Sequence, residues 1–379
     1  MQVEVAMVRF LHTADWQIGM RAGFLSEEAG PRYTEARLDT LTRVGQVAKE
    51  RDCSFVVVAG DVFDANLLSR RTLLRAAEAI ANIPVPVFLL PGNHDAMDTT
   101  TVYRNDDLIR NLPASVHVLD GEGCFAAPDA EIVSAPWPSR RPVEDLVGRA
   151  VRTLGPKSSI RILVGHGAVD GVMPALRDDP ATIRLAPLER AISEGLLDYV
   201  ALGDRHSTTQ VGQTGRIFYS GTPEVTRFDE IDPGNVLVVE LEHGRPPAVE
   251  PVRVGRWSFV AHPQVDLTGL RDVNALSAFL GGLPDKTRTC VELTLGGTLS
   301  VRDHVALEQL LETYRETLAG LEVDSKIAVR PDNFDFDTLG LEGFARVALQ
   351  ELTELAASRD EMAPTAQDAL GLLFRLTRG

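Results

Sequence analysis

An α/β fold, with a smaller second α/β domain and C-terminal helices, is predicted by three features of the 379-residue sequence. Short apolar runs alternate with segments of helical periodicity from Val8 to Leu90, as buried parallel strands and their crossover helices do. These runs end in Asp, Asn or His clusters, several led by glycine. That places polar groups on loops at the carboxyl ends of strands, where open α/β sheets hold their chemistry. The pattern then changes after Gly244-Arg245-Pro246-Pro247, a breaker-rich exit from the first domain.

Val8 to Thr13 reads as a strand that delivers Ala14-Asp15-Trp16-Gln17 onto a loop. A helix over Thr34 to Glu50 follows from Leu38, Leu41, Val44 and Val47 or Ala48 at near-helical spacing. Ser54 to Ala59 is a strand apolar throughout, as a strand covered on both faces should be, and Gly60-Asp61 lies just past it. Arg70 to Ala81 is a helix with Ser69 as its N-cap. Val85 to Leu90 is a third strand, stopped by Pro91-Gly92 before Asn93-His94-Asp95. Val116 to Pro136 reads as short strands and turns, Glu144 to Thr153 as a helix, and Ile160 to Val164 as a strand ending in Gly165-His166-Gly167. Pro187 to Gly195 is a helix, and Tyr199 to Leu202 a strand ending in Gly203-Asp204-Arg205-His206. Arg216 to Ser220 and Asn235 to Leu241 complete the first domain, residues 1–245.

The second domain, residues 252–337, is expected to hold strands at Trp257 to Val260 and Thr289 to Leu295. Helices are expected at Val273 to Leu280 and Val305 to Leu318, with a strand-then-loop stretch at Ile327 to Asp337. The tail, 341–379, carries Phe344, Val347, Ala348, Leu352 and Leu355 at helical spacing; Pro364 interrupts, and Ala369 to Leu376 follows. That tail is either a helix docked on its own domain or a docking element for a partner.

Composition sets bounds. With 44% apolar residues the chain can build a large core, and no run of 18 apolar residues reads as a membrane span. The start, MQVEVAMVRFLHTADW, has no basic leader before an apolar core, so no secretory signal is expected, and Met7 is a candidate start. Cys53, Cys124 and Cys290 are too scattered for a disulfide framework or a zinc knuckle. A cytoplasmic location is expected. The net charge of -16 argues caution for nucleic-acid binding, although acidic metal ligands contribute to it and a local arginine cluster would not show in the sum.

Five loops carry metal donors: Asp15 with Gln17, Asp61, Asn93 beside His94, His166, and Asp204 with His206. Because carboxyl ends of parallel strands share an edge, these distant residues are expected to converge. Two divalent ions about 3.5–4 Å apart need a bridging carboxylate and several further ligands. Asp61 is assigned as the bridge. One ion is expected to take Asp15, Asp61, His206 and Gln17; the other Asp61, Asn93, His166 and Asp204. The mixed oxygen and nitrogen set suits Mn²⁺, with Mg²⁺ second and a structural Zn²⁺ disfavoured. A water activated between two such ions would attack phosphorus. His94 is assigned as leaving-group acid or electrostatic clamp. Asp95 is assigned either to orient that ring or to brace the turn.

These motifs carry a family resemblance. Asp15-Trp16-Gln17, Gly60-Asp61, Gly92-Asn93-His94-Asp95, Gly165-His166 and Asp204-Arg205-His206 match, in order, the pattern of the calcineurin-like metallophosphoesterases, a layered β-sandwich flanked by helices. The flanks HTADWQIG, GDVFD and YSGTPEVTRFDE most resemble the SbcD-type nuclease subunit of double-strand-break repair. The likeness covers residues 8 to about 242, and the second domain resembles the DNA-capping domain of those nucleases less specifically. The resemblance implies 3′-to-5′ exonuclease action on DNA, with endonuclease action as a second mode. It also implies a homodimer and a partner, the SbcC-type coiled-coil ATPase, held by the C-terminal helices. Arg21, Arg70, Arg71, Arg104 and Arg205 are candidate DNA contacts, and Trp16 is expected to pack. Two positions depart from the family: Gln17 and Asp204 stand where metal-binding histidines are usual, leaving one histidine per ion and favouring harder ions. The alternatives are a small-molecule phosphoesterase of the same fold, or a non-catalytic DNA-end scaffold on a degenerate site.

Overall fold

The computed structural model describes residues 7–172, 179–330, 343–356, 358 and 361–376. The chain divides into two compact units, one of the residues up to Ala22 with Gly30–Trp257, the other of Gly23–Ala29 with the residues from Ser258 onward.

In the first unit the order is β1 (Met7–Thr13), α1 (Ala29–Glu50), β2 (Val56–Val58), α2 (Arg70–Ala81), β3 (Val87–Leu89), α3 (Asp106–Ile109), β4 (Val116–Val118), β5 (Gly123–Ala127) and β6 (Ala130–Ala135). Then come α4 (Leu146–Arg152), β7 (Ile160–His166), α5 (Leu185–Ser193), β8 (Tyr199–Gly203), β9 (Thr209–Val211), β10 (Ile217–Tyr219), β11 (Asn235–Glu242) and β12 (Ala248–Arg253). Two six-stranded sheets result, β12-β11-β1-β2-β3-β4 and β5-β6-β7-β8-β10-β9. Strands β1 to β4 run parallel, as do β6, β7 and β8.

Side-chain alternation explains the layers. Val8 and Phe10 of β1, Val57 of β2 and Phe88 of β3 pack with Ile132, Ile162, Val164 and Tyr199 in the core of the sandwich. Leu11, Val56, Val58 and Leu89 point the other way, onto Leu38, Leu41 and Val44 of α1 and Leu73, Ala77 and Ile80 of α2. The second sheet repeats the scheme, with Leu163, Val200 and Leu202 covered by Leu146, Val147, Leu188 and Ala191. These strands read as apolar without a period of two because both faces are buried.

Several boundaries differ from expectation. Helix α1 begins at Ala29, not Thr34, because Ser26 caps the Ala29 N–H and Pro31 is tolerated in a first turn. Strands β2 and β3 are each three residues long, shorter than their apolar runs. The stretch Gly244–Pro247 is a turn, not an exit: β12 returns to pair with β11, and the first unit runs on to Trp257. Helix α9 (Ala363–Leu376) starts just before Pro364 instead of after it.

The second unit holds β13 (Ser258–Leu267), α6 (Leu270–Gly282), β14 (Thr289–Ser300), α7 (Val301–Thr317), β15 (Gly320–Ser325), β16 (Ala328–Arg330), α8 (Phe344–Ala356) and α9. Strands β13, β15 and β16 all pair parallel to the long β14. Leu349 and Ala356 of α8 and Ala366 and Leu370 of α9 join Val301, Val305 and Val329 in one apolar cluster. The loop expected over 331–337 and the tail's start at Leu341 lie outside the described residues, as do residues 1–6. Among the described residues no helix is long and apolar enough to cross a membrane, and the three cysteines are free.

Candidate metal centre

The donor loops come from both sheets, not from a single sheet edge. Asp15, Asp61 and Asn93 follow β1, β2 and β3; His166 ends β7; Asp204 and His206 follow β8. The turns that carry them are tight. Asp15, Gln17, Asp61 and Asp204 all have positive φ, at 54°, 43°, 51° and 94°. Asp accepts the left-handed region better than most residues, and such positions persist only where the surroundings over-determine them. Here they do. The Asp15 N–H donates to the Gly60 carbonyl at 3.0 Å and the Gln17 N–H to the Asp61 carbonyl at 2.9 Å. The Thr222 hydroxyl donates to the Asp15 carbonyl at 3.0 Å. The buried guanidinium of Arg37 holds the Trp16 carbonyl with Nε at 3.2 Å and Nη2 at 2.7 Å.

The motif glycines let the loops close on one another. A Cβ on Gly60 would lie 2.1 Å from His166 Nδ1, one on Gly92 2.2 Å from Asp61 Oδ1, and one on Gly203 1.9 Å from the Ala59 carbonyl.

Ligand atoms of Asp15, Asp61 and His166, all buried, lie within 4.8 Å of one another. On one side His166 Nε2 is 2.7 Å from Asn93 Oδ1, 3.5 Å from Asp61 Oδ1 and 3.8 Å from Asp204 Oδ1. On the other, His206 Nε2 is 3.9 Å from Asp15 Oδ1 and 3.3 Å from the Gln17 amide nitrogen. A half-turn of that amide exchanges its nitrogen for the oxygen a cation needs. Both histidines have their Nδ1 engaged away from the cluster. His166 Nδ1 donates to the Ala59 carbonyl at 2.9 Å, and His206 Nδ1 faces Glu230 Oε1 at 2.8 Å and the Thr226 hydroxyl at 2.6 Å. Each therefore turns Nε2 inward in the manner of a metal ligand.

Charge completes the fit. The three aspartates face one another with no Lys or Arg ion pair to any of them among the described residues. Carboxylates so placed are suited to holding a cation. Burial pushes the Asp15 carboxyl up to about 7, against the pull of His206 and His166. Burial also pushes Asp61 up, but the His166 and His94 charges outweigh it and leave Asp61 below the usual range. Burial disfavours the His166 cation, yet Asp61, Asp15 and Asp204 outweigh that and hold it well above an ordinary histidine.

A divalent ion must therefore displace protons from Asp15 and His166. Its apparent affinity is expected to rise as pH increases from 6 to 8, with proton uptake by the buffer during calorimetric titration with Mn²⁺. A pH-independent affinity would show that the ion binds elsewhere.

The calcineurin-like phosphoesterase family model matches residues 8–237. The chain belongs to that family. The cluster is a metal site suited to a metal-dependent phosphoesterase. Solved structures are similar to this calcineurin-like phosphoesterase over part of its length. The TT1561 protein of Thermus thermophilus is 10% identical, with 65% of this chain and 99% of that one covered and a TM-score of 0.38. Purple acid phosphatase PPD1 from yellow lupin seeds is 12% identical, covering 66% and 52%, at 0.39. GAP50, the anchor in the inner membrane complex of Plasmodium, is 12% identical, covering 75% and 96%, at 0.40. These overlaps add nothing to the family assignment, which rests on the family match.

Other residues take different places. Asp95 does not orient the His94 ring: its carboxylate accepts from Gly92 N at 2.7 Å, Phe63 N at 3.1 Å and the Tyr103 hydroxyl at 2.7 Å, which braces the loop. The ring is held instead by its Nδ1–H, which donates to the Asp64 carbonyl at 2.9 Å. Trp16 packs, with its indole N–H on the Thr13 hydroxyl. His12 of the same motif lies in the sandwich core between the Tyr199 hydroxyl and the Leu202 carbonyl, and burial pushes its pKa down to about 3.

Glu230 was legible only as part of a flanking motif, with nothing to assign it a contact. It orients His206, and it also accepts from the Thr226 N–H at 3.0 Å. Glu230→Gln is expected to weaken Mn²⁺ binding about 10–100-fold, the usual cost of losing such a support, with little change in melting temperature. Titration calorimetry beside thermal melting checks this.

Proposed function

We propose that this calcineurin-like phosphoesterase is a DNA phosphodiesterase working with two divalent ions, Mn²⁺ ahead of Mg²⁺. We assign it 3′-to-5′ exonuclease action, and endonuclease action as a second mode, in double-strand-break repair. The observation that carries the hydrolase reading is the buried cluster of Asp15, Asp61 and His166, whose ligand atoms lie within 4.8 Å of one another. Asp15, Gln17 and His206 would hold one ion, Asn93, His166 and Asp204 the other, with Asp61 shared. When bound, such ions neutralise phosphoryl oxygens and lower the pKa of an attacking water.

His94 does the rest of the work in this reading. Its side chain is 41% exposed, unlike the donors beneath it, so it can reach a bound substrate. A carbonyl can only accept, so Nδ1 carries its proton to Asp64 and Nε2 is the atom left to face the reaction, 3.9 Å from Asp61 Oδ2. A protonated Nε2 there gives its proton to the departing oxygen, or clamps the phosphoryl charge. The DNA substrate, the homodimer and the coiled-coil ATPase docked on α8 and α9 rest on the motif flanks.

The test is hydrolysis of end-labelled single- and double-stranded DNA beside a small phosphodiester, in Mn²⁺, by wild type and His94→Asn. Wild type is expected to cut DNA from 3′ ends. The variant should bind Mn²⁺ normally and lose about 10²–10³-fold in kcat. Cleavage of the small diester alone would favour the small-molecule enzyme, and no hydrolysis of either would favour the scaffold.

A further inference from the structure

On an acidic chain many surface arginines are neutralised by neighbours. Arg9, Arg51, Arg70 and Arg110 pair with Glu240, Glu250, Asp107 and Asp106. Two surface clefts of the first unit are acidic on balance: four carboxylates against Arg9 and Arg51 in one, three against Arg205 and Arg227 in the other. A third cleft, of about 360 Å³, is the reverse. Between the loop after β1, α1 and the start of α2 it gathers Arg21, Arg37, Arg71 and Arg75 against the single carboxylate of Glu35. Arg75 pairs with Glu35, and Arg37 is spent on the Trp16 carbonyl. Arg21 and Arg71 are exposed, and neither has an ion pair or hydrogen bond among the described residues.

Two unpaired guanidinium groups facing one cleft repel each other unless an anion lies between them. The cleft is built on the same loops that carry two of the metal donors. Its wall begins at Ile18 and Gly19, immediately after the donor Gln17, and Ile18 is bridged to Phe63, two residues past Asp61. A molecule that places an anion here can therefore extend along these loops toward the reacting phosphodiester. A single small phosphate ester cannot lie in both places; a chain of phosphates can.

We propose that this cleft holds the sugar-phosphate backbone of a nucleic-acid strand whose neighbouring phosphodiester lies at the metal centre, with Arg21 and Arg71 as its phosphate contacts. The proposal rests on the nucleic-acid reading above and adds the path the strand takes.

The test is fluorescence anisotropy with a labelled oligothymidylate in EDTA, so that nothing is cut, over a series of salt concentrations. The proteins are wild type, Arg21→Gln/Arg71→Gln, and Arg152→Gln, which loses an arginine outside the cleft. The double variant is expected to weaken binding about tenfold or more. Losing two phosphate contacts should reduce the slope of log affinity against log salt by about 1.4. Arg152→Gln should match wild type. Equal affinity and slope for the double variant, no binding by wild type, or displacement of the strand by an equal concentration of inorganic phosphate would each overturn the proposal. Binding through the cleft without hydrolysis in Mn²⁺ would sink the enzymatic reading alone; DNA hydrolysis with cleft-independent binding would sink the cleft alone.

Discussion

Asp15→Asn is expected to make the metal-free protein more heat-stable than wild type at pH 8, while removing the stabilisation that Mn²⁺ gives. The carboxyl of Asp15 is held up at about 7 by burial, above its unfolded value. An acid raised on folding contributes stability that is fully present below the unfolded pKa and lost as pH rises through the folded one. By pH 8 the buried charge has formed and costs the metal-free fold. Asn keeps the shape, tolerates the positive φ at this position and carries no charge. A gain of about 2–4 °C in EDTA would correspond to roughly 1 kcal/mol in a unit of this size. In wild type, Mn²⁺ at a hundred times its Kd adds about 2.7 kcal/mol, or roughly 5–10 °C. In the variant that increment should be absent, with kcat down by about 10²-fold or more. Thermal melts in EDTA and Mn²⁺ at pH 8 decide it: a variant that melts lower than wild type in EDTA would mean Asp15 is a structural anchor.

Gly92→Ala is expected to be as damaging as loss of a donor, although glycine donates nothing. Its Cβ would sit 2.2 Å from Asp61 Oδ1 and 2.5 Å from Asp61 N, so either that carboxylate or its backbone must move. The same loop gives the His94 N–H to Asp61 Oδ1 at 2.9 Å, so the displacement would spread to the acid. We expect a loss of about 1–3 kcal/mol in stability, the usual cost of overpacking. Mn²⁺ affinity should fall about 100-fold or more, and phosphoester hydrolysis should drop to background. Gly121→Ala, with nothing within 4 Å of its new Cβ, should behave as wild type. Normal Mn²⁺ affinity in Gly92→Ala would show that the loops do not need this close approach.

Sequence alone exposed what depends on burial. The runs at Val8, Ser54, Val85, Ile160 and Tyr199 stood out because strands covered on both faces are apolar at most positions, and each led to its donor loop. It could not divide those strands between two sheets, since apolar runs look alike whichever sheet they join; the convergence comes across the sandwich. β12 was missed because its pattern, AVEPVR, is exposed and interrupted by Pro251, as an edge strand can be. At the site, residue type pointed to the donors. The roles of Asp95, Glu230 and the Asp64 carbonyl depend on which atom faces which, and a short motif does not encode that. The left-handed turns were hidden too, because Asp serves equally as a ligand, a cap or a turn residue.

Those turns also decide how the centre can be redesigned. Asp15, Asp61 and Asp204 occupy backbone that favours Gly, Asn, Asp and His, so exchanging them for Glu, Cys or a β-branched residue fights the main chain before any ion is considered. Asn93, His166 and His206 lie outside that region, and position 17 suits His, a type found there more readily than Gln. Retuning toward softer ions thus has four adjustable positions, set in a rigid frame of three aspartates.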